Sequence, residues 1–500
     1  MHASHPVSTT PSSVPAVILV RRLSDVRATG DLSWFQPALD CLRALRDEPD
    51  PGLRTFFSAD APLYIARAPG RLDVMGGIAD YSGGRVLELP LACATTALLQ
   101  WQETPRCDIA TRRGGRWHFF QIELPLPTPA SLAAWFAKRE TDRWASYVVG
   151  VVQHCLPLAG AGLRIVIDST VPEGRGVASS AALEVAAGAA VAAACGRPMP
   201  AAELATACQA VENHVVGAPC GIMDQMTSAC GRRDRLLQLC CQPGTIEGYV
   251  AIPEGFRFYG IDSGISHAVA GADYGTVRTA AFMGYRMIAA VAGLPALRDG
   301  TRLRIDDPRW GGYLANVTKS ELADLGGALP VEMSGAEFLE RYDGLTDTVT
   351  HVRPERRYPV RRATEHPVRE HERVRRFAEL LGVLAHEPHA AIELGRLMYE
   401  SHESYGACGL GSDGTDRLVE LVAAEGPARG LFGAKITGGG SGGTVAVLGT
   451  SGAEPLVRDL AARYHAETGR DGSVFAESGP GAAETGVLRL DPDELVSDGW

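Results

Sequence analysis

Residues 163–195 narrow what this chain can fold into more than any other stretch. The β-branched run LRIVIDSTV passes through the turn PEGRGVASS directly into the helix-former AALEVAAGAAVAAAC. A strand that feeds a helix through so tight a turn belongs to a layered unit of sheet and helix. The helix, interrupted only by Glu184 and too short and Ala-rich to cross a bilayer, is expected in a buried core. Its entry turn carries Gly174, Gly176, Ser179 and Ser180. Such a junction suits a phosphate, because backbone N–H groups and the positive end of the helix dipole face the anion and glycine lets the backbone approach closely. Taken alone, the same residues also suit a plain loop with a serine N-cap.

Two further glycine-rich segments flank it, APGRLDVMGGIADYSGG at 68–84 and KITGGGSGG at 435–443. No GxxxxGK[ST] occurs, so a P-loop ATPase is unsupported. Gly438, Gly440 and Gly443 match GxGxxG formally, but the continuation TVAVL reads as a strand where a dinucleotide fingerprint needs a helix. A formal net charge of −11 speaks against nucleic-acid and polybasic membrane-surface binding and favours a small-molecule substrate. The eleven cysteines form no CxxC pair and read as small buried hydrophobes of a reducing compartment. The apolar stretch from Val14 to Val20 is too short to span and lacks a preceding basic region, so neither a signal peptide nor a membrane span is expected and the cytoplasm is the expected location.

Residues 1–60 read as a leader: a Ser/Thr/Pro-rich tail, then a helix with Pro37 in its first turn and Arg46 near its end, stopped by Pro49–Gly52. A first domain is expected over 61–255 and a second over 256–500, opening on the strand-like FRFYGIDSG. The basic run RPERRYPVRRATEHPVREHERV at 353–374 suits either an anion site or a solvated helix face.

The three glycine-rich segments, with GAPCGIMDQMTSACG at 217–231 between the second and third, resemble in order and spacing the signature motifs of the GHMP kinases, and specifically the galactokinases. The resemblance covers almost all of the chain after its first 60 residues. It implies an α+β fold, a ribosomal S5 domain-2-like N-terminal domain followed by a ferredoxin-like C-terminal domain, with ATP, Mg2+ and a sugar bound between them. Galactokinases carry I-G-E-H-T-D-Y-N-G-G where this chain has MGGIADYSGG. Asp80 and Tyr81 are retained, whereas Gly77 and Ile78 replace the glutamate and histidine that lie toward the sugar's hydroxymethyl group. L-Arabinopyranose shares the ring stereochemistry of galactopyranose and lacks that group. A buried polar side chain without its partner would cost roughly 1–3 kcal/mol, so the two replacements suit the pentose. The stretches DVMGGIADYSG, VENHVVGAPCGIMDQMTSACG, IDSGISHAVAGADYGTVR and CGLGSDGTDRLV are also similar to plant L-arabinokinases.

Carried over residue by residue, the resemblance makes Asp224 the group that takes or orients the C1-hydroxyl proton, with Arg71 beside it. Ser180 and Glu212 would hold Mg2+, and Gly174, Gly176, Val177, Ala178, Ser179 and Ser180 the ATP phosphates. Ala178 departs from the family's serine triplet. Asp80, Tyr81, Gly221 and Tyr274 would contact the sugar, and Gly438, Gly439 and Gly440 would complete the phosphate site. Glu212 would equally suit an amphipathic surface helix, and Tyr274 a core. Trp101 and Trp144 are possible walls for the adenine. The reaction expected is L-arabinose plus ATP to β-L-arabinose 1-phosphate. D-Galactose or a 6-deoxy sugar is the alternative acceptor, and a catalytically silent sugar sensor a third reading. The sequence carries no signature of an oligomeric state.

Overall fold

A computed structural model of the chain describes residues 17–155, 161–266, 272–300 and 302–497. The Ser/Thr/Pro-rich start of the leader and residues 267–271 of the IDSGISHAVAGADYGTVR stretch lie outside the described residues. The strands of the two larger sheets are β1 (Val20–Arg22), β2 (Leu63–Met75), β3 (Arg85–Gln102), β4 (Arg106–Arg113), β5 (Arg116–Glu123), β6 (Gly162–Ser169), β7 (Arg235–Cys240) and β8 (Thr245–Ala251), followed by β9 (Phe256–Asp262), β10 (Leu431–Ile436), β11 (Thr444–Thr450), β12 (Val474–Phe475) and β13 (Val487–Leu490). A first, mixed sheet runs β1-β13-β2-β3-β6-β4-β5, with β7 and β8 extending from β3. A second, antiparallel sheet runs β10-β11-β9-β12.

β2 is buried almost along its whole length. Its Pro69–Gly70 pair shifts the register against β3, because proline cannot donate to the ladder. At Gly70 a Cβ would lie 2.7 Å from the carbonyl oxygen of Val177, so only glycine allows the phosphate-loop candidate this close. The next residue secures the approach, the Arg71 N–H donating to that carbonyl at 3.0 Å.

One face of the first sheet packs against α2 (Ala145–Cys155), α3 (Ser179–Ala194), α4 (Ala201–Val211) and α5 (Met223–Cys230), all following α1 (Leu32–Asp47). The Ala-rich α3 is the buried core helix its composition predicts. The leader is no appendage. Helix α1 lays Phe35, Leu39, Leu42 and Leu45 against Leu63, Ile65, Leu98 and Leu488, and β1 pairs in parallel with β13. Pro37 sits in the second turn of α1, since the helix starts at Leu32 and the burial of Phe35 outweighs the one backbone bond a proline removes. Nor does the chain divide cleanly at 255, because β13 returns to the first sheet beside β2.

The second half adds α6 (Ala272–Val291), α7 (Val360–Val383), α8 (Ala390–Ala407), α9 (Asp413–Glu425) and α10 (Glu454–Thr468). The second sheet is covered on both faces: Val445 and Val447 of β11 meet α9 and α10, whereas Ala446 and Leu448 meet α7, α8 and the first sheet. The basic run at 353–374 leads into α7, whose outer arginines pair with glutamates one turn away, such as Arg362 with Glu365 and Arg375 with Glu372. Its inner face carries His366, Glu370 and Arg373, all buried. No helix among the described residues is long and apolar enough to cross a membrane.

The two sheets meet across Leu72, Leu89, Phe258 and Leu448, and across a buried ion pair. Lys435 of β10 lies 2.9 Å from Asp73 of β2, both side chains fully out of solvent. The same Asp73 oxygen accepts the Gly438 N–H at 3.1 Å and the Tyr405 hydroxyl at 3.2 Å. A buried charge stripped of its partner is costly, so Asp73→Asn or Lys435→Met alone should destabilise the protein by about 3–5 kcal/mol in urea denaturation, with much of the loss recovered in the double substitution Asp73→Asn/Lys435→Met, whose asparagine oxygen can still accept from Gly438 and Tyr405. Additive losses in the double variant would contradict this.

Candidate active site

Arg71 joins the elements that face one another at the junction of the two halves. Its guanidinium bonds Asp224 at the start of α5 (Nε–Oδ1 2.9 Å, Nη2–Oδ1 2.8 Å), donates to the Gly176 carbonyl at 2.7 Å and lies 3.4 Å from Glu88. Burial opposes its charge, but Asp224, Glu88 and Asp73 outweigh burial and hold it protonated. Asp224, with a side chain 21% exposed, borders a cavity of about 880 Å3 together with Arg71 and Gly176.

The turn before α3 borders that cavity with Gly174, Gly176, Ala178, Ser179 and Ser180. Gly174 and Gly176 each take φ +69°, the left-handed region that glycine enters freely. The helix N-cap is Ala178 at φ +60°, without a side-chain capping bond. The serines therefore do not cap α3. Ser179 and Ser180 open the helix where its first N–H groups have no intrahelical partner, the geometry that attracts an anion. Val177 faces the core, not the cavity.

Glu212 stands where α4 widens into a π-helical turn, Glu212–Val216. Such turns are rare and concentrate at functional positions. Its carboxylate accepts from Gln225 at 2.6 Å and from Ser180, and Gln225 also reaches Glu184 at 3.3 Å. Burial, then the Asp224 charge, pushes Glu212 up to about 7, and burial, then the Glu212 charge, pushes Glu184 well above the usual carboxylate range. One Glu184 oxygen is buried without a partner. Three crowded carboxylates are an excess of negative charge that a divalent cation would relieve. Among the described residues no group of three or more His, Cys, Asp or Glu side chains forms a complete metal cage. Ser180 and Glu212 offer two oxygens and leave the remaining positions to water and phosphate, which fits an ion that keeps much of its hydration.

At the opposite end Asp80 is buried, with Oδ1 lacking any partner. It borders the cavity with Ile78, Gly221 and Tyr274. A Cβ on Gly221 would fall 1.7 Å from Asp80 Oδ2, so this glycine is what lets the carboxylate take its place. Tyr274 serves both as a cavity wall and as part of the core around α6. Tyr81 turns away: its ring meets Tyr274 edge-on at 5.8 Å and lies under the Arg278 guanidinium at 5.5 Å. Gly77 does not border the cavity either. A Cβ there would lie 1.8 Å from the Tyr405 hydroxyl and 2.1 Å from Asp73, so packing beneath the loop already requires glycine at this position.

Gly438 and Gly439 border the cavity, Gly438 close to the Gly176 carbonyl, whereas Gly440 packs on Leu410 and Tyr405. The third glycine loop rests on the second, Thr444 Oγ1 donating to the Arg175 carbonyl at 2.8 Å. The cavity continues past the phosphate turn between Trp144, Tyr147, Thr95 and Arg112. Trp101 is not part of it; its indole N–H donates to the Ala194 carbonyl at 3.0 Å on the packed face of the sheet. Sequence reasoning missed Asp73, Lys435 and Tyr405, although the first two stand inside quoted motifs.

Residues 146–232 match the GHMP kinases N terminal domain, 53–100 the galactokinase galactose-binding signature and 378–466 the GHMP kinases C terminal domain. L-Arabinokinase of Arabidopsis thaliana is 37% identical over 93% of this chain, which spans about half (51%) of that relative's length. Galactokinase of Chloroflexus aggregans is 32% identical over 82% of this chain and 90% of its own. The crystal structure of Lactococcus lactis galactokinase complexed with galactose superposes with a TM-score of 0.61 at 19% identity, covering 84% of this chain and 94% of that one, a likeness of fold.

Burial, then the neighbouring Asp224, raises Asp80 from 3.8 to about 6. A carboxyl raised in the folded state adds stability fully present below pH 3.8 and lost as pH rises through about 6. Asp80→Asn should therefore stabilise the ligand-free protein at pH 7 by up to roughly 3 kcal/mol, the gain vanishing near pH 4. Melting temperatures of both proteins across that range test it; a constant difference would contradict it.

Proposed function

As the chain belongs to the GHMP kinase family, in its galactokinase-like branch, we propose that it transfers the γ-phosphoryl group of ATP to the anomeric hydroxyl of L-arabinose, forming β-L-arabinose 1-phosphate and ADP. One observation carries the reading: the Arg71–Asp224 pair shares one cavity with a phosphate-binding turn and with Asp80, whose Oδ1 is buried without a partner. Phosphoryl transfer needs an acceptor hydroxyl held in line with the phosphate, a nearby carboxylate and fixed positive charge, and little covalent chemistry from the protein.

In this account Asp80 accepts hydrogen bonds from ring hydroxyls, and Asp224 orients the C1 hydroxyl and takes its proton. Arg71 keeps Asp224 ionised and, through the Gly176 carbonyl, fixes the phosphate turn relative to it. The N–H groups opening α3 and the hydroxyls of Ser179 and Ser180 receive the phosphates, with Gly438 and Gly439 closing over them. Ser180 and Glu212 would hold Mg2+, which when bound neutralises charge on the phosphates. Trp144, Tyr147 and Thr95 would enclose the base. Dependence on ATP, and cysteines that are all free among the described residues, suit the cytoplasm.

L-Arabinose is preferred over D-galactose because Ile78 borders the sugar end where galactokinases carry a polar residue, and because the Arabidopsis L-arabinokinase aligns with nearly the whole chain. The Chloroflexus galactokinase favours galactose as the second reading. ADP release with Mg-ATP across L-arabinose, D-galactose, L-fucose, D-fucose and D-galacturonate separates them. L-Arabinose should give the highest kcat/KM, and Asp224→Asn should lower kcat by about 100-fold to 10,000-fold, the span of general-base removal. Turnover greatest with galactose, or unchanged in Asp224→Asn, would refute the reading.

A further inference from the structure

The loop at the sugar end is shaped from the other half of the molecule. Gly76 takes φ +112° and Ile78 φ +51°. For a β-branched residue the left-handed region is a genuine outlier, and such strain persists only where surrounding structure imposes it. Two side chains one turn apart on α7 hold the loop in place. Glu370 Oε1 accepts the Gly76 N–H at 3.1 Å, and His366 Nε2 donates to the Gly77 carbonyl at 3.0 Å. Both are themselves fixed. The Ser404 hydroxyl lies 2.8 Å from His366 Nδ1, Ser401 donates to Glu370 at 2.7 Å, and Arg373 pairs with Glu370 at 2.8 Å.

Burial pushes the imidazole down to about 4, so at neutral pH the ring is uncharged and its bond to a carbonyl places the hydrogen on Nε2 and leaves Nδ1 to accept from Ser404. Glu370, raised by burial but lowered more by the Arg373 guanidinium, is held down to about 2, so at neutral pH it is ionised and is a fixed acceptor for the Gly76 N–H. The Tyr405 ring stands edge-on to His366 at 5.3 Å, and its hydroxyl fills the space a Gly77 side chain would need. His366 and Glu370 lie outside all three matched family segments.

The strained residue is the one that borders the cavity beside Asp80 and Tyr274. We propose that His366 and Glu370 are specificity-positioning residues: they hold the Gly76–Ile78 backbone so that Ile78 closes the acceptor end of the cavity against galacto-configured pyranoses bearing a carbon substituent on C5. This rests on the reading of that end as the sugar site. A pentopyranose, with only hydrogens at that carbon, fits beneath the closed wall, whereas a hexose must displace it.

The test is the ratio of kcat/KM for L-arabinose to that for D-galactose in wild type, Ile78→Gly, His366→Leu and His366→Gln. Glycine accepts the left-handed conformation without strain, which offsets part of the core packing that the buried Ile78 side chain gives up, and it removes the wall, so Ile78→Gly lowers the ratio tenfold or more, chiefly through a lower KM for galactose. His366→Leu, unable to donate to the Gly77 carbonyl, moves the ratio the same way with the KM for ATP within twofold of wild type. His366→Gln, which keeps a donor, restores part of the selectivity. A ratio within twofold of wild type in both Ile78→Gly and His366→Leu overturns the proposal alone. A wild type that prefers galactose overturns the acceptor reading and the proposal together.

Discussion

Asp73 and Lys435 meet with no access to water, one on an interior strand of the first sheet and the other on the edge of the second. A buried ion pair returns little net stability, because desolvating both charges offsets most of their attraction. Its consequence here is registration. The Asp73 oxygen that holds Lys435 also holds the Gly438 N–H and the Tyr405 hydroxyl. The third glycine loop, helix α8 and strand β2 are thereby fixed to one atom. Two residues earlier on β2, Arg71 fixes the phosphate turn and α5 in the same manner. The turn before α3, α5 and the third glycine loop are thus all held by these two positions on a single strand.

That arrangement explains why the cavity has two chemically different ends. At one, the N-terminus of α3 and glycine backbone border the cavity beside Glu212 and Asp224, with Glu184 packed behind them. At the other, Asp80 presents an acceptor oxygen with no protein partner, held close by a glycine at 221. Charges kept in a water-poor site before any ligand arrives cost folding stability and serve binding. The raised pKa values of Asp80 and Glu212 are the thermodynamic record of that cost.

Much of this was legible in the sequence because the relevant signals are local. A strand, a glycine-rich turn and an Ala-rich helix in succession identify the phosphate turn, and the cavity does gather Asp224, Arg71, Asp80, Ser180 and Glu212 from segments far apart in the chain. Pairings between distant residues left no such signal. Asp73 and Lys435 are 362 residues apart, and each reads alone as an ordinary charged residue beside a glycine cluster. β1 is three residues long and gains its place only by pairing with β13 near the other end of the chain, which is why the leader reads as an appendage. Gly77 reads as a lost sugar contact because the Tyr405 hydroxyl that excludes a side chain there comes from a helix with no recognisable motif. In α7 the arginines dominate the text, while the inward His366 and Glu370 carry the contacts to the loop.

The central claim is that the cavity brings the anomeric hydroxyl of an arabinose into line with the terminal phosphate of ATP. The most direct measurement is the carbon-13 spectrum of the product formed from L-arabinose and Mg-ATP. The account predicts phosphorus coupling at the anomeric carbon, with one equivalent of ADP formed for each sugar phosphate. ADP released without any phosphorus-coupled sugar carbon, or coupling confined to another carbon of the ring, would contradict it.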